Sequence, residues 1–273
     1  MAAFLIALVV VTTSADARPR CRPADAVRSP SGETGPRDEL ALGKEAYARF
    51  DNEGALEHYR KAVEGHPDDV EALWRLALAC ADVGKAREDV ERGKAEELYR
   101  QGVAAARRAV AAGPDTPNAH FVLAVCLGRL ALVEGGKARI RLAKEVKKEA
   151  ERTIELEPRH DGAYVVLGRW NDAVATLGWF RRAVGGVIYG GLPSGGTVEK
   201  AAEMFRKAVE LDPTRPGHHL EYARALIELR RYSEARKELR TCLELPRVQW
   251  DDPASKAEAA RLLKDIEGKK DEG

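Results

Sequence analysis

Cysteine is scarce in this chain. Only four of its 273 residues are cysteines, and they are spread from position 21 to position 242. They are too few and too scattered for a disulfide framework. Cys80, Cys126 and Cys242 fall on apolar helical faces, which favours buried, inert thiols over the alternative of a Cys80–Cys126 bridge.

An excess of charge of either sign is also missing. The 45 Lys and Arg residues are balanced by 44 Asp and Glu residues. This balance gives no general attraction to nucleic acid or to an anionic membrane, and we expect no nucleic-acid partner. Aromatic residues make up only 6% of the chain, whereas Ala, Leu, Glu, Arg and Lys dominate it, which is typical of a helical solenoid.

Catalytic motifs are absent. The segment Gly135-Gly136-Lys137 resembles the end of a phosphate-binding loop, but it lacks the first glycine and the Ser/Thr and follows no predicted strand. The six histidines stand in no H-E-x-x-H context, and no C-x-x-C or G-x-S-x-G segment occurs. We therefore predict a protein that is not an enzyme and that carries neither a metal nor another cofactor.

A helix end followed by proline recurs four times along the chain. The segment K-A-V-E-G-H-P ends at Pro67, and its variants end at Pro114, Pro158 and Pro213. Each copy reads as the last two turns of an amphipathic helix, because proline cannot continue a helix. Such a recurrence predicts stacked helical hairpins, which mostly hold other molecules rather than transform them.

The first repeat matches the tetratricopeptide template of about 34 residues. Gly43 and Ala55 are small enough to let two antiparallel helices approach closely, while Tyr59 and Ala62 fill the seam between neighbours. The middle repeats are longer, since the four prolines are 47, 44 and 55 residues apart and the inserted residues keep a helical composition. We predict an all-α solenoid of five tetratricopeptide hairpins with extended middle repeats and a C-terminal capping helix.

Motifs in the fourth repeat are more specific. L-G-R-W at Leu167–Trp170, the downstream Trp179 and F-R-K-A-V-E-L-D-P at Phe205–Pro213 resemble the regulator of microtubule dynamics family of tetratricopeptide proteins. The resemblance runs from about Leu40 to Leu263. It implies an all-helical binding domain without catalytic residues, associated in some members with microtubules or organelle membranes. The Ala-, Arg-, Gly- and Val-rich composition and an apparent leader favour a bacterial, exported member.

An apolar run, Ala2–Val11, opens the chain and is followed by Ala15-Asp16-Ala17. The run is too short to span a bilayer and precedes an A-x-A cleavage site, so we expect a signal peptide over residues 1–17 and a periplasmic or secreted protein. No Lys or Arg precedes the run, and an uncleaved membrane anchor is the alternative. We further expect a flexible tether over 18–37, the repeat domain over 38–268 and a charged tail over 269–273.

The first helix of each pair lines the concave surface in a tetratricopeptide superhelix. Here its positions predict an apolar groove with aromatic residues in the middle and cations toward both ends, suited to a protein or peptide partner. Two alternatives stay open: the inserted helices bury Trp74 and Phe121 as core, or a carboxylate of the chain itself pairs with Arg169. We expect a monomeric scaffold that binds through Lys44, Tyr47, Trp74, Phe121, Arg129, Arg169 and Arg224.

A second apolar cluster lies in the largest insertion, beside arginines and a glycine-rich loop. It would suit membrane contact, or a cavity for a lipid or amphiphile between the groove and the helix over 170–189. A lipid carrier is thus the alternative function, although packing of the inserted helix onto the solenoid explains the cluster more simply. The residues concerned are Trp179, Phe180, Arg181, Arg182, Ile188 and Tyr189.

Overall fold

The computed structural model describes residues 36–183 and 195–271. Over these residues the chain forms eleven α-helices and no strand. They are α1 Pro36–Ala48, α2 Asn52–Gly65, α3 Val70–Arg87, α4 Arg92–Ala112, α5 Pro117–Val133, α6 Gly136–Leu156, α7 Asp161–Ala183, α8 Val198–Leu211, α9 Pro216–Glu228, α10 Tyr232–Glu244 and α11 Asp252–Asp265.

The helices pack as five hairpins with a final capping helix. Each odd-numbered helix from α1 to α9 packs against the helix that follows it, and α11 packs against both α9 and α10. The insertions lengthen helices, as expected: α4 and α6 have 21 residues each and α7 has 23, compared with 14 in α2. The predicted all-α solenoid of tetratricopeptide hairpins is confirmed.

The recurring prolines act as stop signals in the same way each time. The helices before Pro67, Pro114, Pro158 and Pro213 all end in a cap residue whose backbone N–H donates to the carbonyl four residues earlier. The next first helix then starts within three residues of the proline. Because proline offers no N–H and disfavours a helical residue before it, the chain turns at this point in every repeat.

Aromatic rings of the second helices lie directly on glycines of the first helices. A Cβ atom added to Gly43 would lie 2.4 Å from the ring of Tyr59, and one added to Gly84 would lie 2.5 Å from the ring of Tyr99. Phe205 stands in the same relation to Gly168, at 2.4 Å. All three rings are buried. The close approach expected from the first repeat therefore recurs in the second and fourth hairpins.

The cysteines of the described segments are free and buried. Cys80, Cys126 and Cys242 form no disulfide. The sequence had favoured such buried, unpaired thiols over a Cys80–Cys126 bridge. Burial raises the pKa of the Cys80 thiol to about 12, and it raises the pKa of Cys126 well above its ordinary value. These thiols are therefore protonated at neutral pH and act as small apolar side chains.

We expect Gly168→Ala to lower the free energy of unfolding by about 1–3 kcal/mol, because the new methyl group would overlap the ring of Phe205. Gly93→Ala in α4 is the matched control, since a Cβ atom there would meet nothing within 4 Å. That change should leave the protein unchanged or up to about 1 kcal/mol more stable. Urea unfolding measures both, and equal effects would contradict the ring-on-glycine contact.

Candidate functional site

The first helices adjoin one another along one side of the solenoid, with α3 packed on α5, α5 on α7, α7 on α9 and α9 on α11. We call the surface along these helices, from α1 to α11, the inner wall. Polar pairs link its successive helices. Lys44 Nζ lies 2.6 Å from Glu71 Oε1, and the Tyr47 hydroxyl donates to Asp82 at 3.0 Å. The groove residues Lys44, Tyr47, Arg169 and Arg224, predicted from sequence, take part in such pairs.

The two expected aromatic anchors lie in the core. Trp74 is 5% exposed and Phe121 is 0% exposed. The ring of Phe121 packs on Gly162 at the start of α7 and lies 4.4 Å, centroid to centroid, from the ring of His160. The neighbouring first helix therefore covers Phe121, whereas the sequence alternative had assigned this to the inserted helices. Neither aromatic side chain is accessible to a ligand in this conformation.

Arg169 is held by an ion pair within the chain. Its Nη2 donates to Glu221 Oε1 at 2.6 Å, and both side chains are about 7% exposed. Glu221 also accepts from Arg224 at 2.8 Å. Burial alone would raise the pKa of Glu221, but Arg169 and Arg224 together hold it below its ordinary value. This is the alternative stated for Arg169 from sequence, and it joins α7 to α9.

Arg129 and Lys85 bring further positive charge to the middle of the wall. Arg129 is 1% exposed. Burial and the charge of Arg129 lower the pKa of Lys85 to about 8. Burial also raises the pKa of Asp82 to about 7, with the neighbouring Asp251 adding to the effect. The middle of the wall is therefore lined by buried ionisable groups, where an apolar groove was expected.

One element of the site has no counterpart in the sequence-based prediction. It is a non-helical segment over residues 245–251 that joins α10 to α11, and we call it the C-terminal clasp. Asp251 Oδ2 lies 2.5 Å from Nζ of Lys85, 166 residues earlier in the chain. The same Nζ lies 5.4 Å from the centroid of the Trp250 ring, and the Arg247 guanidinium lies 4.1 Å above Phe50. The clasp thus connects the end of the array to its first two hairpins.

Only part of the predicted groove remains exposed to solvent. The side chains of Lys44 and Arg224 are 41% and 38% exposed, and each pairs with a partly exposed glutamate, Glu71 and Glu258 respectively. Tyr47 is half-buried. Within residues 37–176 and 195–271, no three His, Cys, Asp or Glu side chains are grouped to hold a metal ion.

The residues assigned to the lipid alternative fall beyond what the structure describes at side-chain level. Their helical members lie near the end of α7, where only the backbone is described: Trp179, Phe180, Arg181 and Arg182. Ile188 and Tyr189 lie outside the described residues. A lipid contact by this cluster stays a prediction.

Comparison with known proteins identifies similar chains. The sequence profile of the family described as "Regulator of microtubule dynamics protein 1-3" matches residues 40–267. Regulator of microtubule dynamics protein 1 of Bos taurus is 30% identical over 203 residues, covering 74% of this chain and 63% of its own length. Protein 3 of Rattus norvegicus is 32% identical over 192 residues, covering 70% of this chain and 40% of its own. The chain thus spans less than two thirds of these relatives.

A solved structure with the same fold is a thermophilic TPR protein of Thermus thermophilus. It superposes with a TM-score of 0.61, at 18% sequence identity, and covers 83% of this chain and 100% of its own. At that identity the likeness shows the fold alone. It agrees with the tetratricopeptide hairpins described above.

The predicted export of the chain is wrong. The curated relatives named above are animal proteins described as regulators of microtubule dynamics, and this description does not fit a periplasmic or secreted protein. The proposed signal peptide over residues 1–17 lies outside the described residues. Among the helices that the structure describes, none has the length and apolar character needed to cross a membrane. A bacterial origin stays a prediction.

We expect Arg169→Met to lower the free energy of unfolding by about 3 kcal/mol, because it leaves Glu221 buried without its nearest cation. Arg206→Met is the control, since the Arg206–Glu210 pair on α8 is about half exposed. Exposed pairs of this kind contribute about 0–1 kcal/mol. Chemical denaturation of the two variants provides the measurement, and similar losses would show that the buried pair has no special role.

Asp82 should make the protein less stable as the pH rises. Its pKa is about 7 in the folded chain and 3.8 ordinarily, so the unfolded chain loses this proton first. The resulting stability is complete below about pH 4 and is lost as the pH rises toward 7. Asp82→Asn should flatten this part of the curve of unfolding free energy against pH. A variant curve parallel to that of the wild type would contradict the assignment.

Proposed function

Because the chain belongs to the regulator of microtubule dynamics family, we propose that it is a non-catalytic scaffold that binds a protein or peptide partner along its inner wall. Stacked tetratricopeptide hairpins present a continuous surface, and the family name supports a partner in the microtubule system. Since the chain spans only part of its curated relatives, their partners and activities are proposals for it.

The observation that carries this proposal is the pair of accessible ion pairs near the two ends of the wall. Lys44–Glu71 joins α1 to α3, and Arg224–Glu258 joins α9 to α11. Half-exposed pairs of this kind stabilise a fold by about 1 kcal/mol or less. A carboxylate from a partner can therefore replace Glu71 or Glu258 at little cost, and the two cations orient an acidic segment laid along the wall.

The buried part of the wall has a different role in this proposal. Arg169–Glu221 and the packed Trp74 and Phe121 fix the spacing of the first helices. A scaffold with fixed spacing loses little conformational entropy when a partner binds, which favours affinity. The buried residues named from sequence thus act as positioning residues, and Lys44 and Arg224 contact the partner.

Co-sedimentation with microtubules tests the proposal. Lys44→Ala/Arg224→Ala should weaken binding of the chain to microtubules about three- to tenfold, because two cations leave the wall. The matched control is Lys61→Ala/Arg206→Ala, which removes two cations of similar exposure from exposed ion pairs on the second helices α2 and α8. The control should bind like the wild type.

Equal losses in the two double variants would mean that only net charge matters, and the inner wall would be the wrong surface. If the wild-type chain does not pellet with microtubules, the proposal that they are its partner is contradicted. Far-UV circular dichroism should be unchanged in both variants, since surface substitutions of this kind change stability by about 0.5 kcal/mol or less.

A further inference from the structure

The C-terminal clasp has the form of a bound peptide. It is non-helical, it lies on the inner wall, and it reaches helices that are distant in sequence. Two adjacent residues make its contacts with α3: the Trp250 ring lies by the ammonium of Lys85, and the Asp251 carboxylate binds the same ammonium. Trp250 also interacts with Asp82 and acts to lower the pKa of that carboxyl group.

The receiving side of this contact is suited to an aromatic ring next to a carboxylate. The Lys85 side chain is only 20% exposed, and a cation in such surroundings requires an anion beside it. Burial lowers the pKa of Lys85, while Asp251 acts to raise it. A ring on the ammonium adds a cation–π contact of about 0.5–2 kcal/mol. Lys85 thus recognises both groups together.

The turn at Phe50 places an aromatic ring beside the clasp. Phe50 has φ of +64°, in the left-handed region that bulky residues rarely adopt and where glycine is preferred. Arg230 has a similar φ of +57° in the corresponding turn between α9 and α10. At Phe50 this turn presents a half-buried ring to the Arg247 guanidinium of the clasp, 4.1 Å away. The unfavourable backbone conformation places an aromatic contact where the clasp begins.

We propose that Phe50, Asp82 and Lys85 form a peptide-docking site that the clasp fills within the chain, and that a partner docks there with an aromatic residue followed directly by an acidic one. This rests on the proposed function and names the chemistry of the partner segment. The partner must displace the clasp, whose tethering gives it an effective concentration on the order of millimolar. The unbound chain therefore occludes its own site.

A labelled peptide covering residues 244–256 tests the proposal by fluorescence anisotropy. Its binding is compared between the wild-type chain and the variant Trp250→Ala/Asp251→Asn, which lacks both clasp groups that contact Lys85 and which we call the released variant. The released variant should bind the peptide at least about tenfold more tightly, because the clasp no longer competes for Lys85. Adding Lys85→Met to the released variant should abolish the gain. The same peptide carrying Trp250→Ala and Asp251→Asn should bind neither chain.

Equal affinities for the wild-type and released chains, or a gain that survives Lys85→Met, would overturn the proposal. If the double variant unfolds at too low a temperature for the assay, the single variant Trp250→Ala replaces it. This variant keeps the carboxylate of Asp251 at the start of α11. It should show a smaller gain in the same direction.

Microtubule co-sedimentation of the released variant separates the two proposals. If the released variant binds the peptide but not microtubules, the result supports the docking site and contradicts microtubules as the partner. If the wild-type chain and the variant both bind microtubules and neither binds the peptide, the result supports the scaffold and contradicts the docking site.

Discussion

The architecture depends on the contact between an aromatic ring and a glycine that closes a hairpin. Tyr59 on Gly43, Tyr99 on Gly84 and Phe205 on Gly168 bring two helix backbones closer than any side chain at the glycine would allow. Because the contact recurs in three hairpins, those hairpins share one internal spacing. Similar units can then stack side by side, and their first helices form one continuous layer.

The chemistry of the wall follows from this stacking. Closely spaced first helices leave little room between them, so side chains at the expected groove positions pack into the core or pair across the seam. Trp74 and Phe121 pack into the core, and Arg169 pairs with Glu221 across the seam. Buried charges are costly unless they are paired, and their geometry is correspondingly well defined. The wall is therefore a polar, ordered surface closed at one point by the C-terminal clasp.

Much of the fold was predictable because its signals are local. A proline after an amphipathic helix and a glycine spaced from an aromatic ring have the same meaning wherever they occur, and so the five hairpins and the capping helix were predicted correctly. The site was predicted only in part. Lys44 and Arg224 do lie on the wall and remain partly exposed, but the exposure of Trp74 and Phe121 depended on how closely the next first helix approaches. The periodicity of apolar residues in the sequence does not indicate how far apart successive first helices lie.

The amino-acid sequence by itself determined where the second helices stop at the recurring prolines, the pairing of neighbouring helices and the family, because each depends on residues close together in the chain or on short motifs. Only the tertiary structure decided which wall residues are accessible and where the ends of the array meet. The contact between Lys85 and Asp251 spans 166 residues. Its existence depends on how the hairpins between α3 and α11 stack on one another, which no single segment determines.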